Sequence, residues 1–165
     1  MTNEHIQQRL TAQFPDLSEW EEQYGMLTFR APAARNLEVV RFLNEDAELR
    51  FVFLTDLTGV HYPDRSGEEL CVVAHLHNLQ DNVRIRMKVY VPVTQPDTHS
   101  LTSLFAGANW MERETYDFFG INFIGHPELT RILNVDEMDY FPMRKEYPME
   151  DPTRIDKDDE MFGRG

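Results

Sequence analysis

The densest concentration of chemically active side chains lies between Asn109 and Ile121, where Glu112, Arg113, Glu114 and Asp117 alternate with Trp110, Tyr116, Phe118 and Phe119. Two carboxylates facing one cleft can work as general acid and general base, the arrangement of glycosidase-type hydrolysis. Arg113 sits among these acids, however, and a neighbouring cation keeps carboxylates ionised, which favours an ion-pair network over a proton donor. Such networks imitate catalytic clusters. A structural or interfacial role is therefore the first reading of Glu112, Arg113, Glu114 and Asp117. A free-standing carboxylate-dependent hydrolase built on Glu112 and Glu114 is its distant rival.

The other candidates are weaker. His75 and His77, two apart in an extended run, would share a face and could reach one metal, but nothing beside them supplies the third protein ligand that zinc usually takes. His5, His61 and His99 read as surface or loop residues, and His126 before Pro127 reads as a loop residue open to a partner contact. Aromatics at helical spacing are mostly packing; those outside the core suit an interface, where Trp, Tyr and Arg are enriched. Arg144 and Lys145, framed by prolines and aromatics, form either a solvated turn or a clamp on an acidic partner. No Ser or Cys has the setting of a nucleophile. Neither common glycine-rich phosphate loop is present.

These residues need elements to position them. A helix beginning near Ser100 would place Leu101, Leu104, Phe105, Ala108, Met111, Thr115 and Phe118 on a core face, with Trp110, Arg113, Glu114 and Asp117 on the other. Gly120 ends it, because glycine takes the left-handed helix stop without steric cost. Gly107 leaves open a division into two shorter pieces. Upstream, Asn3 is placed to cap a helix carrying Ile6, Leu10 and Phe14 up to Pro15. Residues 25–30 read as a strand and 33–44 as a helix. Residues 50–58, 70–77 and 83–91 read as strands, the last alternating strictly between Val83, Ile85, Met87, Val89, Val91 and Arg84, Arg86, Lys88, Tyr90. Residues 79–82 are short and polar enough to make the last two a hairpin. Beyond Gly120, residues 121–124 read as extended, and Pro127 opens a turn or brief helix towards Arg131.

The order of elements implies an α+β fold: a two-layer domain over residues 1–148, with a mixed or mostly antiparallel sheet and helices packed on one face. From Glu146 to the end there are seven acidic residues, two prolines and few apolar side chains. Residues 149–165 are therefore expected to be disordered, or ordered only on a partner. The chain carries 29 acidic against 16 basic residues and a net charge of −13, which repels a phosphate backbone and makes nucleic acid an improbable partner. No apolar run approaches the roughly 20 residues of a membrane span, and the N-terminus lacks a signal peptide's apolar core, so a cytosolic location, or one on a membrane's cytosolic face, is expected. Cys71 is the only cysteine. It excludes an internal disulfide and any iron-sulfur cluster held by this chain alone.

Three runs in order carry a resemblance. They are Trp110 to Ile121, then Gly125-His126-Pro127-Glu128-Leu129-Thr130-Arg131-Ile132-Leu133, then Arg144-Lys145-Glu146-Tyr147-Pro148, with Phe105 as the aromatic ahead of Trp110. Together they resemble the signature of the 30-kilodalton subunit of proton-pumping NADH:quinone oxidoreductase, respiratory complex I. Tyr140-Phe141 stands before Pro142 where that family usually carries Gly-His. The resemblance implies a member of the peripheral arm that holds no flavin, iron-sulfur cluster or quinone itself and has no catalytic, cofactor-binding or metal-ligating residue. FMN and the iron-sulfur clusters would lie in partner subunits, and the chain would pack beside the quinone-cavity subunit and the iron-sulfur subunits next to it. It would sit peripherally on the cytoplasmic side of the bacterial cell membrane. The motif residues carried over are Glu112, Arg113, Glu114, Asp117, Gly120, His126, Pro127, Arg131, Arg144 and Lys145, as internal ion pairs and contacts with other subunits. A homologous subunit of a membrane-bound hydrogenase or other-donor quinone reductase is the close alternative.

Overall fold

The structure, a computed structural model, describes residues 1–147. The expected tail, 149–165, lies outside the described residues. Seven strands and three helices follow in the order α1 (Asn3–Gln13), β1 (Ser18–Gln23), β2 (Met26–Arg30), α2 (Asn36–Glu45), β3 (Phe53–His61), β4 (Leu70–Asn78), β5 (Val83–Val91), β6 (Asp97–His99), α3 (Ala108–Phe119) and β7 (Asn122–Ile124).

The strict alternation of β5 makes it the spine of the main sheet. It pairs antiparallel with β4 and parallel with β2, giving the order β1-β2-β5-β4-β3. Only the β2–β5 pairing is parallel within this sheet. The β4–β5 hairpin turns at Asn82, whose φ of 53° lies in the left-handed region that asparagine tolerates. Register places Leu57, Ala74 and Met87 side by side, then Gly59, Val72 and Val89, so one face of the sheet is continuously apolar. That face is the core. Ile6 and Leu10 of α1, Val39, Val40 and Leu43 of α2, and Phe119 of α3 are buried in the same cluster, so all three helices lie on this side. At Gly59 the ring of Phe119 comes so close that an added Cβ would stand 2.5 Å from it. A glycine there is a packing requirement.

Among the described residues no helix covers the opposite face. Cys71, Val73 and Tyr90 form a small separate cluster there, flanked by Val60 and Tyr62. Burial pushes the Cys71 thiol up to about 11, which leaves it unreactive at neutral pH.

Several boundaries differ from those read in the sequence. The cap of α1 is Thr2, whose hydroxyl accepts from the His5 amide at 3.3 Å, and not Asn3. Helix α2 starts at Asn36 and not at Ala33, after a turn over 33–35, and the Asn36 side chain fixes the short strand β6: its amide group exchanges bonds with the His99 carbonyl and amide at 2.7 and 3.2 Å. Strand β1, a glutamate-rich run, had no alternation to mark it, and it exists as an edge strand whose Trp20 lies 5.1 Å from Phe29. Helix α3 begins at Ala108, so the break at Gly107 is the observed alternative. Residues 101–107 instead make a tight turn, with the amides of Leu104 and Phe105 both bonded to the Leu101 carbonyl at 3.0 Å.

Candidate functional site

Helix α3 with its Gly120 stop and residues 125–147 hold the ten motif residues carried over. The helix ends at Gly120, φ +73°, whose amide closes on the Tyr116 carbonyl at 2.8 Å. A Cβ added there would lie 2.5 Å from Phe141 and 2.7 Å from the Arg144 guanidinium. Backbone conformation and space both demand glycine.

Asp117, expected on the polar face, is fully buried. It is the anchor of the segment that follows. Its Oδ2 accepts from three successive amides, Ile132, Leu133 and Asn134, at 3.1, 2.8 and 2.9 Å. Its Oδ1 accepts from Arg131 at 2.7 Å and from the Asn134 side chain at 3.0 Å. Burial by itself would raise its pKa, but the amides of Asn134 and Leu133 and the Arg131 guanidinium outweigh that and hold it well below the usual carboxylate range. A carboxylate so saturated with donors accepts charge-assisted bonds and gives up no proton near neutrality.

Arg131 repeats the theme from the other side. One terminal nitrogen serves the Asp117 carboxylate and backbone carbonyl; the other donates to the carbonyls of Met138 and Tyr140 at 2.7 and 3.0 Å. Arg113 does not pair with the acids of its own helix. It donates to the carbonyls of Thr130 and Arg131 at 3.1 and 2.9 Å and lies over the Trp110 ring. Arg144 donates to the Phe119 carbonyl at 2.8 Å, and the Phe141 ring packs against the guanidinium groups of Arg131 and Arg144. The expected ion-pair network is thus mostly a set of side chains satisfying the backbone of an irregular strap, 125–147. The physical reason is that such a chain has no neighbouring strand for its amides and carbonyls.

Glu112 is also buried, on the side of α3 opposite the strap. It accepts from the Ser100 hydroxyl and the Leu101 amide, both at 2.6 Å, and so ties the 101–107 turn to the helix. Burial pushes its pKa up to about 7 against the opposing pull of those two donors. Glu114 is exposed. The two glutamates therefore do not face one cleft, and the paired-carboxylate chemistry of the hydrolase reading has no geometry here. The His126 ring is fixed between the Asn109 carbonyl at 3.1 Å and the Glu128 amide at 3.0 Å, which puts its proton on Nε2. Pro127 is exposed in a bend, and residues 128–131 after it are not helical. The Lys145 side chain is exposed, while its amide donates to His61 Nδ1 at 2.9 Å.

The structure adds Asn134, Phe141, Ser100 and His61 to the residues that matter. Ser100, Asn134 and His61 reach their partners across 12, 17 and 84 positions of sequence, beyond the reach of any local pattern. His75 and His77 stand on the helix-free sheet face, with His75 against Asp56 and Arg86 and His77 against Asn82. Among the described residues no three His, Cys, Asp or Glu side chains converge as metal ligands.

The sequence pattern described as the 30 Kd subunit of respiratory-chain NADH dehydrogenase matches residues 29–153. The C subunit of NADH-quinone oxidoreductase from a Nocardioides species is 46% identical over 125 residues, 76% of this chain and 50% of that protein. The same-named protein of Caulobacter vibrioides is 40% identical over 158 residues, 96% of this chain and 79% of that one. The chain spans about half the length of several curated relatives it matches. Among solved structures, a trypsin-resistant fragment of Nqo5 superposes with a TM-score of 0.67 at 33% identity, covering 78% of this chain and all of the fragment. A chain of the membrane-bound sulfane sulfur reductase, an archaeal respiratory membrane complex, gives 0.74 at 26% identity, covering 88% and 85%. With the family pattern extending over most of its length, this chain belongs to the 30 Kd subunit family of respiratory-chain NADH dehydrogenase.

Proposed function

We propose that this chain is a non-redox structural and assembly subunit in the peripheral arm of a proton-translocating NADH:quinone oxidoreductase. In that complex electrons pass from NADH through FMN and iron-sulfur clusters in partner subunits to quinone. The observation that carries the reading is the strap. It is irregular and rigidly fastened, yet it presents Leu133 (66% exposed), Val135 (63%) and Met143 (54%), with Trp110 (61%) standing on the helix beside it. Large apolar side chains held out on an ordered surface fit a permanent contact with another subunit.

In this reading Arg113, Asp117, Gly120, Arg131 and Arg144 set the shape of the strap, Glu112 sets the turn before it, and His126 and Pro127 shape its start. Glu114 and Lys145 are the exposed charged members of the set and meet neighbours directly. The neighbours are the quinone-cavity subunit and the iron-sulfur subunits beside it, on the cytoplasmic side of the membrane. Residues 1–148 act as one domain, with 149–165 as an acidic tail. Among the described residues no helix is long and apolar enough to cross a membrane, so attachment comes through the complex.

The test is to tag the chain in its native cell, solubilise membranes in mild detergent and identify by mass spectrometry what comes with it. A large particle with flavin and iron-sulfur subunits is expected; recovery of the chain alone from the soluble fraction would overturn the proposal. The likeness to sulfane sulfur reductase makes the electron-input subunits decisive. NADH-binding subunits support the main reading, and hydrogenase or sulfur-reducing subunits in their place would select the related-complex alternative.

A further inference from the structure

The helix-free face of the sheet carries a different kind of surface from the strap. Four cations stand on its strands β2 and β5, with Arg65 stacked on Tyr62 and Tyr90 beside them, and two of the four are neutralised within the chain: Arg30 by Glu19 and Glu68, Lys88 by Glu21 at 2.8 Å. Arg84 and Arg86 are the exceptions. Among the described residues neither lies within ion-pair distance of a carboxylate, in a chain where acids outnumber bases 29 to 16.

Arg86 is moreover aimed. Its Nε donates to Nε2 of the cross-strand partner His75 at 2.9 Å, so that nitrogen bears a lone pair and the ring is neutral. The ring's other nitrogen faces Asp56 at 3.5 Å. Arg86 is half-buried and held at its inner nitrogen, while its terminal nitrogens have no hydrogen-bond partner among the described residues. A guanidinium fixed in this way is a preorganised fork whose geometry matches a carboxylate. Arg84, exposed and two residues away on the same face, doubles the charge. Thr28, directly opposite Arg86 in register, is buried with its hydroxyl unpaired, so polar capacity is left over beneath the same patch.

We propose that the helix-free sheet face around Arg84 and Arg86 docks an acidic segment of a neighbouring polypeptide, with His75 as the residue that positions the Arg86 fork. Charge complementarity selects this occupant: two unneutralised forks call for a pair of carboxylates. An anionic bilayer is disfavoured, because its extended negative surface opposes the whole −13 of the chain, whereas a short acidic segment meets the two forks alone. The inference rests on the subunit role only for the presence of a neighbour, and it names a surface apart from the strap.

The experiment uses the complex purified from native membranes. In an Arg84→Lys chain, a carbodiimide activates any carboxylate in contact with the new side chain, whose deprotonated amine attacks it to form an amide and release the urea, and mass spectrometry is expected to find residue 84 coupled to Asp or Glu of another polypeptide. In parallel, Arg84→Glu with Arg86→Glu is expected to leave the melting temperature of the isolated chain unchanged and to lower its recovery in the particle about tenfold. Arg86→Lys, which keeps the charge and loses the fork, should lower recovery less, and His75→Phe should resemble it. Coupling of residue 84 only to carboxylates at 150–160 of its own chain would overturn the proposal. So would loss, in the double variant, of binding to phosphatidylglycerol vesicles with recovery in the particle intact. Undiminished recovery without coupling, while strap variants such as Leu133→Asp do dissociate, overturns it and leaves the subunit reading standing. Recovery of the wild-type chain alone overturns both.

Discussion

The sheet and the strap are held together in opposite ways. Across β2, β5, β4 and β3 the backbone is satisfied strand by strand, and the side chains facing the helices are apolar and interchangeable in kind. Around α3 the partner is an irregular segment, and its backbone groups are satisfied one at a time by charged side chains: three amides by Asp117 and four carbonyls by Arg113 and Arg131, while Arg144 of the segment donates to the last carbonyl of the helix, Phe119. Buried charge here replaces the missing strand. The lesson is that a cluster of acids and arginines in a sequence is as much a signature of an irregular chain needing support as of a reaction.

The sharpest way to break this comparison is to remove one charge from the strap. Arg131→Ala leaves Asp117 buried without its cation and four acceptor contacts unmade, and should cost about 3 to 5 kcal/mol in urea unfolding. Met87→Leu, at the centre of the sheet face, should cost less than about 1.5 kcal/mol. Equal losses would mean that the two regions are not fastened differently. Gly120→Ala comes next. It forces a side chain into a left-handed position and against Phe141 and Arg144, for about 2 to 4 kcal/mol, and limited proteolysis should cut the strap before the sheet. Arg113→Ala should be milder, about 1 to 2 kcal/mol, because its two carbonyl partners are near the surface and water replaces it. The larger cost appropriate to a buried ion pair does not apply, since Arg113 has no acid on its own helix as partner.

The same contrast explains what could be read from the residues in advance. The alternation in β5, the hairpin after β4 and the stop at Gly120 were legible because each rests on neighbours two to four residues apart. The start of α3 was not. Leu101, Leu104 and Phe105 have helical spacing, but the same spacing serves a single turn packed on the core. Asp117 was placed on the polar face by its spacing with Trp110, Arg113 and Glu114, and the burial of Glu112 was not foreseen, since carboxylates are rarely buried. The donors that make burial possible come from Ser100 and Leu101 on one side and from residues 131–134 on the other. Strand β1 failed for the reverse reason, since a sheet edge can leave its glutamates in water. The motif residues lie together on α3, at its stop and on the strap, while their individual partners are set by tertiary contacts that no spacing records.

Glu112 tests where the two regimes meet, because it is a buried charge on the core side of the helix. With a pKa near 7 in the folded chain, it keeps its proton between its ordinary value of about 4.5 and 7, whereas the unfolded chain has released it. Folding then takes up a proton, so this group's contribution to stability falls as pH rises through that window and stays at its full cost above it. Asp117 runs the other way: its pKa is depressed, so its contribution is present above the ordinary carboxylate range and is lost as the solution is acidified below it. Glu112→Gln keeps an acceptor for the Leu101 amide and gives the Ser100 hydroxyl a donor in place of the carboxyl proton. Wild type and variant should therefore unfold alike near pH 4, and the variant should be more stable by about 1 to 2 kcal/mol near pH 8. A difference that does not change between those two pH values would mean that Glu112 is already ionised in the folded chain. The helix would then tolerate charge on its core side as readily as on the strap side, and the contrast between the two regions would end at the sheet.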